Sequence, residues 1–137
     1  MEDITQEIRA DVITNRVNLL RATVNETTEL RNLLDEQIVI GHSKIIVDLS
    51  QCTHLDSTFI GALVVTQKKL LGKGGELKIV DPLNPAKELF YLTGMSKVFD
   101  TFETAEDALK SFNSGIKSPE SKTDDDYPKK NIEWAFA

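Results

Sequence analysis

Cysteine is almost absent from these 137 residues: Cys52 stands alone, so no disulfide can close within the chain. Histidine is nearly as scarce, and one cysteine with His42 and His54 cannot assemble a zinc site of the usual Cys/His kind. Cys52 is therefore read as a small core hydrophobe rather than a reactive thiol. Long apolar runs are missing too. None approaches the ~18 residues that cross a bilayer, and the acidic start "MEDITQEIRAD" has neither the basic nor the apolar region of a signal peptide. The expected compartment is the cytoplasm, without membrane insertion. Basic charge is also short, with 16 Lys and Arg against 22 Asp and Glu and a net charge of -6. That balance argues against nucleic-acid binding through phosphate contacts, which need a basic face.

What is present suffices for one globular domain: 40% of residues are hydrophobic and 28% charged. A chain of this length buries roughly 68% of its unfolded surface on folding. The ordered domain is expected over residues 1–115. Residues 116–137 read as a flexible acidic tail ending in the apolar "IEWAF", whose Trp134 and Phe136 gain from docking on the domain, a neighbouring subunit or a partner.

Along the domain, "ADVITNRVNLLRATV" suggests two short strands around a turn near Asn15 and Arg16. Asn25 is the expected cap of a helix whose Leu30, Leu33, Leu34 and Ile38 share a face, with Gly41 as its stop. "KIIVDLS" has no helical face and suits a strand covered on both sides in a largely parallel sheet. From Ser57 to Leu71 the period changes: Ile60, Leu63, Val64 and Leu71 share a face, with Gln67, Lys68 and Lys69 opposite or beside it. A strand at Leu77 to Val80 completes a right-handed crossover. Asn84 and Pro85 predict a helix start, cap then first helical position, and Gly94 its end. "KVFDTF" reads as a last short strand, and Thr104 with Asp107 opens a helix striped by Ala105, Ala108, Leu109 and Phe112.

The stretch "HLDSTFIG", residues 54–61, lies where the strand gives way to the second helix. The plainest reading makes Asp56 or Ser57 an N-cap. A hydroxyl at a helix start is also exposed at the end of the sheet, and it can carry a phosphate that the helix dipole supports. A catalytic serine fits less well. The glycine pair of a Gly-x-Ser-x-Gly elbow is missing, and the nearest base, His54, shows no sign of pairing. Gly72, Gly74 and Gly75 follow a helix instead of linking a strand to one, so no dinucleotide or P-loop cradle is formed. No cofactor is expected.

From "IIVDLSQCTHLDSTFIGALVV" through "LKIVDPLNPAKELFYLTG" to "FETAEDAL" the chain resembles the STAS domain of bacterial anti-sigma factor antagonists, over roughly residues 10–113. The likeness lies in the order and spacing of the Asp-Leu-Ser strand end, the Asp-Ser pair, the Gly-Gly turn, the Leu-x-Ile-Val strand, the Pro-led helix ending in Thr-Gly and the closing helix. It implies a single α/β domain with a mixed sheet of four or five strands and helices packed mainly on one face. It also implies a regulator rather than an enzyme. In such a partner switch an anti-sigma factor that is a serine kinase of the histidine-kinase-like ATPase type binds the unmodified protein and phosphorylates the residue matching Ser57. A metal-dependent serine phosphatase reverses the step. Thr58 becomes a second candidate acceptor, because Thr58 and Phe59 stand where the family often has Ser-Gly. The larger Phe59 either contacts a partner or turns into the core. Asp56, Thr58, Phe59, Ile60 and Asn25 form the expected contact surface. Two rival readings remain: a STAS scaffold serving a kinase, cyclase or secretion pathway, and a small hydrolase using Ser57.

Overall fold

The computed structural model describes residues 3–114. Strands β1 (Ile4–Arg9) and β2 (Val12–Val17) form an antiparallel hairpin. Its turn is at Ala10 and Asp11, with Ala10 at φ 56°, so the turn expected at Asn15 and Arg16 is corrected: both residues lie inside β2. Asn15 is a turn former by propensity, yet it is fully buried here. Gln37 explains why, since the two side-chain amides exchange hydrogen bonds of 3.0 and 2.7 Å. A satisfied amide pair makes a buried asparagine tolerable in a strand.

Helix α1 (Val24–Ile40) begins on Thr23, not Asn25. Thr23 and Glu26 form a reciprocal capping box, with Glu26 Oε1 accepting from Thr23 N at 2.9 Å. The Thr-x-x-Glu spacing leaves Asn25 inside the first turn. Gly41 ends the helix as expected, in the left-handed region at φ 117° that a side chain would disfavour.

The short strands β3 (Arg21–Ala22) and β5 (His54–Leu55) pair parallel beside the main sheet. That sheet has five strands in the order β1-β2-β4-β6-β7, with β4 at Lys44–Asp48, β6 at Glu76–Val80 and β7 at Thr101–Phe102. Every pairing after the hairpin is parallel. Helices α2 (Ser57–Leu71) and α3 (Ala86–Leu92) join α1 over one face, where Leu30, Leu34, Ile45, Val47, Phe59 and Phe90 share a core. Helix α4 (Ala105–Ser114) covers the other, over Val12, Ile46, Val80 and Phe102. Strand β4 is therefore buried on both sides, as its unbroken apolar run predicts.

Three local expectations shift. The helix predicted from Pro85 begins one residue later, after a cis Asn84-Pro85 bond. Asn84 still contributes, its Oδ1 accepting from Glu88 N at 3.2 Å. Gln67 is not on a solvated face but fully buried: its amide donates to Val98 O at 3.1 Å and its oxygen accepts from Leu77 N at 2.7 Å. These two bonds tie α2 to the start of β6 and to the segment that leads into β7. The last strand is limited to Thr101–Phe102, with a 3-10 turn at Met95–Lys97 before it. Thr104 caps α4, accepting from Asp107 N at 3.1 Å. The expectations for the acidic tail, Trp134 and Phe136 lie outside the described residues.

Candidate functional site

In a parallel sheet the loops that follow the strands gather at one end, and sites collect there. Three such loops are laced together in this molecule. Thr53 N and His54 N both donate to Leu20 O, at 2.8 and 3.1 Å, and Asp56 N donates to Ala22 O at 3.3 Å. From the other side Leu83 N donates to Cys52 O at 2.8 Å and Ala86 N to Thr53 O at 3.0 Å. Segment 52–56 is thus held between the loops leading into α1 and α3, which fixes where α2 begins.

Asp56 completes the arrangement. Its Oδ1 accepts from Phe59 N at 2.9 Å, the ordinary N-cap bond of its own helix. Its Oδ2 accepts from Val24 N at 2.8 Å, in the first turn of α1. One carboxylate thereby caps two helices. They run parallel, since Lys69 Nζ farther along α2 donates to Asp35 Oδ1 of α1 at 3.0 Å. Two positive dipole ends consequently meet around one anionic side chain.

Ser57 follows immediately and is exposed, as is Thr58. Among the described residues no side chain engages the Ser57 hydroxyl. The His54 ring turns instead to its neighbour, Nδ1 lying 3.0 Å from Thr53 Oγ1, so no serine–histidine pair exists here to activate a nucleophile. Asn25 is exposed one residue beyond the Val24 that Asp56 caps. Ile60 is half-buried, packing on the main core. Phe59 is fully buried in that core. Its place in the expected contact surface is therefore corrected: at the third position of α2 it points at the sheet, while Ser57 and Thr58 point away. Cys52 is buried, and burial, with Asp48 adding a smaller part, pushes its thiol up to about 12. It stays protonated and inert near neutrality. No group of three or more His, Cys, Asp or Glu side chains able to hold a metal occurs among the described residues.

Sequence reasoning missed an apolar groove beside this point. It is lined by Thr53, His54, Leu55, Pro85, Leu89 and Leu92, and Leu92 is 77% exposed. The signal was available: Leu89 and Leu92 recur at a spacing of three off the face that carries buried Ala86 and Phe90. The double cap could not be found that way, because Val24 is 32 residues from Asp56.

A layered mixed sheet, with an aspartate-capped helix presenting an exposed serine at the loop-bearing end, defines a small α/β domain. The STAS domain family model matches residues 7–108, and this chain belongs to that family. A Thermotoga neapolitana protein provisionally named as an anti-sigma factor antagonist is 26% identical over 78 residues, which are 57% of this chain and 69% of the relative. Among solved structures, a Thermotoga maritima protein with the same provisional name has a TM-score of 0.74 at 21% identity, covering 80% of this chain and 94% of that one. The Bacillus cell-fate determinant SpoIIAA in its phosphorylated form has a TM-score of 0.64 at 16% identity, covering 80% and 98%. Its unphosphorylated form, described as an anti-sigma factor antagonist, gives the same score, covering 82% and 99%. No helix among the described residues is long and apolar enough to cross a membrane.

Proposed function

We propose that this STAS domain is an anti-sigma factor antagonist that works by partner switching. Unmodified, it binds an anti-sigma factor that is also an ATP-dependent serine kinase of the histidine-kinase-like type. Phosphorylation of Ser57 by that partner releases it, and a metal-dependent serine phosphatase restores it. The observation that carries the reading is the exposed Ser57 hydroxyl, set directly after a carboxylate that locks two helix starts together.

The chemistry needs nothing more from this chain. The kinase supplies Mg, ATP and the base. The Ser57 oxygen bonds to the γ-phosphorus as the bond to ADP breaks, and the proton leaves to the kinase base. The phosphate adds about -1.5 to -2 charges at neutral pH, at the N-terminal end of a helix where the dipole favours an anion. Asp56 opposes it by like charge, but each Asp56 oxygen already accepts a backbone N–H. The fold is therefore expected to persist, in keeping with the equal TM-scores of this chain against the unphosphorylated and phosphorylated forms of SpoIIAA. The effect falls on docking, where burying the new anion against a surface shaped for a hydroxyl costs desolvation. A loss of only ~2.7 kcal/mol weakens binding a hundredfold. Thr58, Asn25 and the exposed part of Ile60 surround the acceptor and belong to the docking face.

The test combines intact-mass and site mapping after co-expression with the candidate kinase with binding of the Ser57→Ala and Ser57→Asp forms. We expect one phosphate on Ser57, retained affinity for Ser57→Ala and about a hundredfold loss for Ser57→Asp. Equal affinity of the two forms sinks the charge switch.

A further inference from the structure

The outer edge of the sheet carries a second pattern, independent of Ser57. Strand β1 ends the strand order, and no strand among the described residues pairs with its outer side. Five of its six side chains are exposed. The direction of its backbone groups follows from its register with β2. Asn18 N donates to Asp3 O at 2.7 Å, extending the pairing in which Ile4 lies opposite Val17. Hydrogen-bonded and non-hydrogen-bonded pairs alternate along an antiparallel ladder. Asp3, Thr5, Glu7 and Arg9 therefore bond inward to β2, and Ile4, Gln6 and Ile8 turn their N–H and C=O groups outward. The Gln6 side-chain amide reaches Ile4 O at 3.5 Å, a long contact that a partner strand displaces.

We propose that this edge binds a second copy of the same chain, β1 against β1, antiparallel about a two-fold axis at Gln6. The sequence "DITQEIR" is self-complementary about that centre. Gln6 meets the partner's Gln6, Ile4 meets the partner's Ile8, and all outward groups of Ile4, Gln6 and Ile8 find partners. Ile8, 59% exposed, gains an apolar neighbour. On the opposite face Thr5 meets the partner's Glu7, and Arg9 meets the partner's Asp3, an opposite-charge cross-strand pair. Centring the axis on Glu7 sets two carboxylates face to face and leaves Ile4 unpaired. Centring it on Thr5 leaves Ile8 unpaired. Both neighbouring registers are poorer, and edge pairing of this type is what an open strand templates. The area is small against the ~1,200 Å² of stable interfaces, so the dimer is weak, forming between roughly 10 µM and 1 mM.

Sedimentation equilibrium of the full chain over that range tests it. The mass is expected to rise from monomer toward twice that value. Gln6→Pro removes an outward N–H while sparing the bonds to β2, so it is expected to stay folded by circular dichroism and to remain monomeric. Arg9→Asp is expected to weaken association about fivefold or more, and adding Asp3→Arg in the same chain to restore it. Under oxidation Gln6→Cys is expected to cross-link to its counterpart, since hydrogen-bonded pairs lie ~5.5 Å apart between Cα atoms, within disulfide range. A monomer at 1 mM, or a dimer indifferent to Gln6→Pro, overturns the proposal. So does association lost on deleting residues 116–137, which assigns it to the tail. Should Gln6→Pro unfold, the charge exchange and the cross-link decide.

Discussion

The start of α2 and the outer edge of β1 are both exposed, yet they offer opposite things. At the start of α2 Asp56 takes one backbone N–H from each of two helices, Phe59 N and Val24 N, and what faces solvent is a side-chain hydroxyl. At β1 the exposed side chains are polar apart from Ile8, and what faces outward is backbone. A hydroxyl on a rigid mount suits a covalent mark that changes charge without moving the fold. Open backbone suits association, with side chains left to choose register. If both proposals hold, marking and assembly use separate parts of one small domain.

That contrast can be broken most severely by loosening the mount. Gln67→Leu leaves Leu77 N and Val98 O without the partners they have now. We expect a loss of about 3 kcal/mol in urea unfolding, since each buried unsatisfied group costs about 1–3 kcal/mol. Asp56→Ala removes one cap from each of two helices. About 2 kcal/mol is expected, at the upper end of N-cap substitutions, with hydrogen exchange accelerated in the first turns of both α1 and α2. A loss confined to α2 contradicts the double cap. Ser57→Ala sharpens the comparison from the other side: an exposed hydroxyl without a side-chain partner costs within about 0.5 kcal/mol. A larger change in its unfolding midpoint means that the serine is structural. The smallest effect is expected for the inertness of Cys52. Its buried thiol, pushed up to about 12, should react with a disulfide reagent at pH 8 only as fast as the domain opens.

Much of the site was legible because its signals are local. The change from an unbroken apolar run to a helical stripe located the seam, and Asp56 ahead of Ser57 is an N-cap pattern that needs no tertiary partner. Errors fell where a distant residue overrode local preference. Local preference favours a turn at Asn15, but Gln37 satisfies its amide inside β2, and it favours a solvated face at Gln67, but β6 lies beside it. Phe59 was open between partner and core, and only the packing of α2 on the sheet decides for the core.

Taken alone, the residues determined the alternation of strands and helices, the stops at glycine and the seam before Ser57, because each depends on neighbours within a few positions. The tertiary structure alone decided that Asp56 reaches a second helix, that three loops converge on segment 52–56, and that β1 is left at the edge with its backbone turned outward. Hydrogen bonds across 30 or more residues and the order of strands in a sheet are properties of the closed chain, and no local period encodes them.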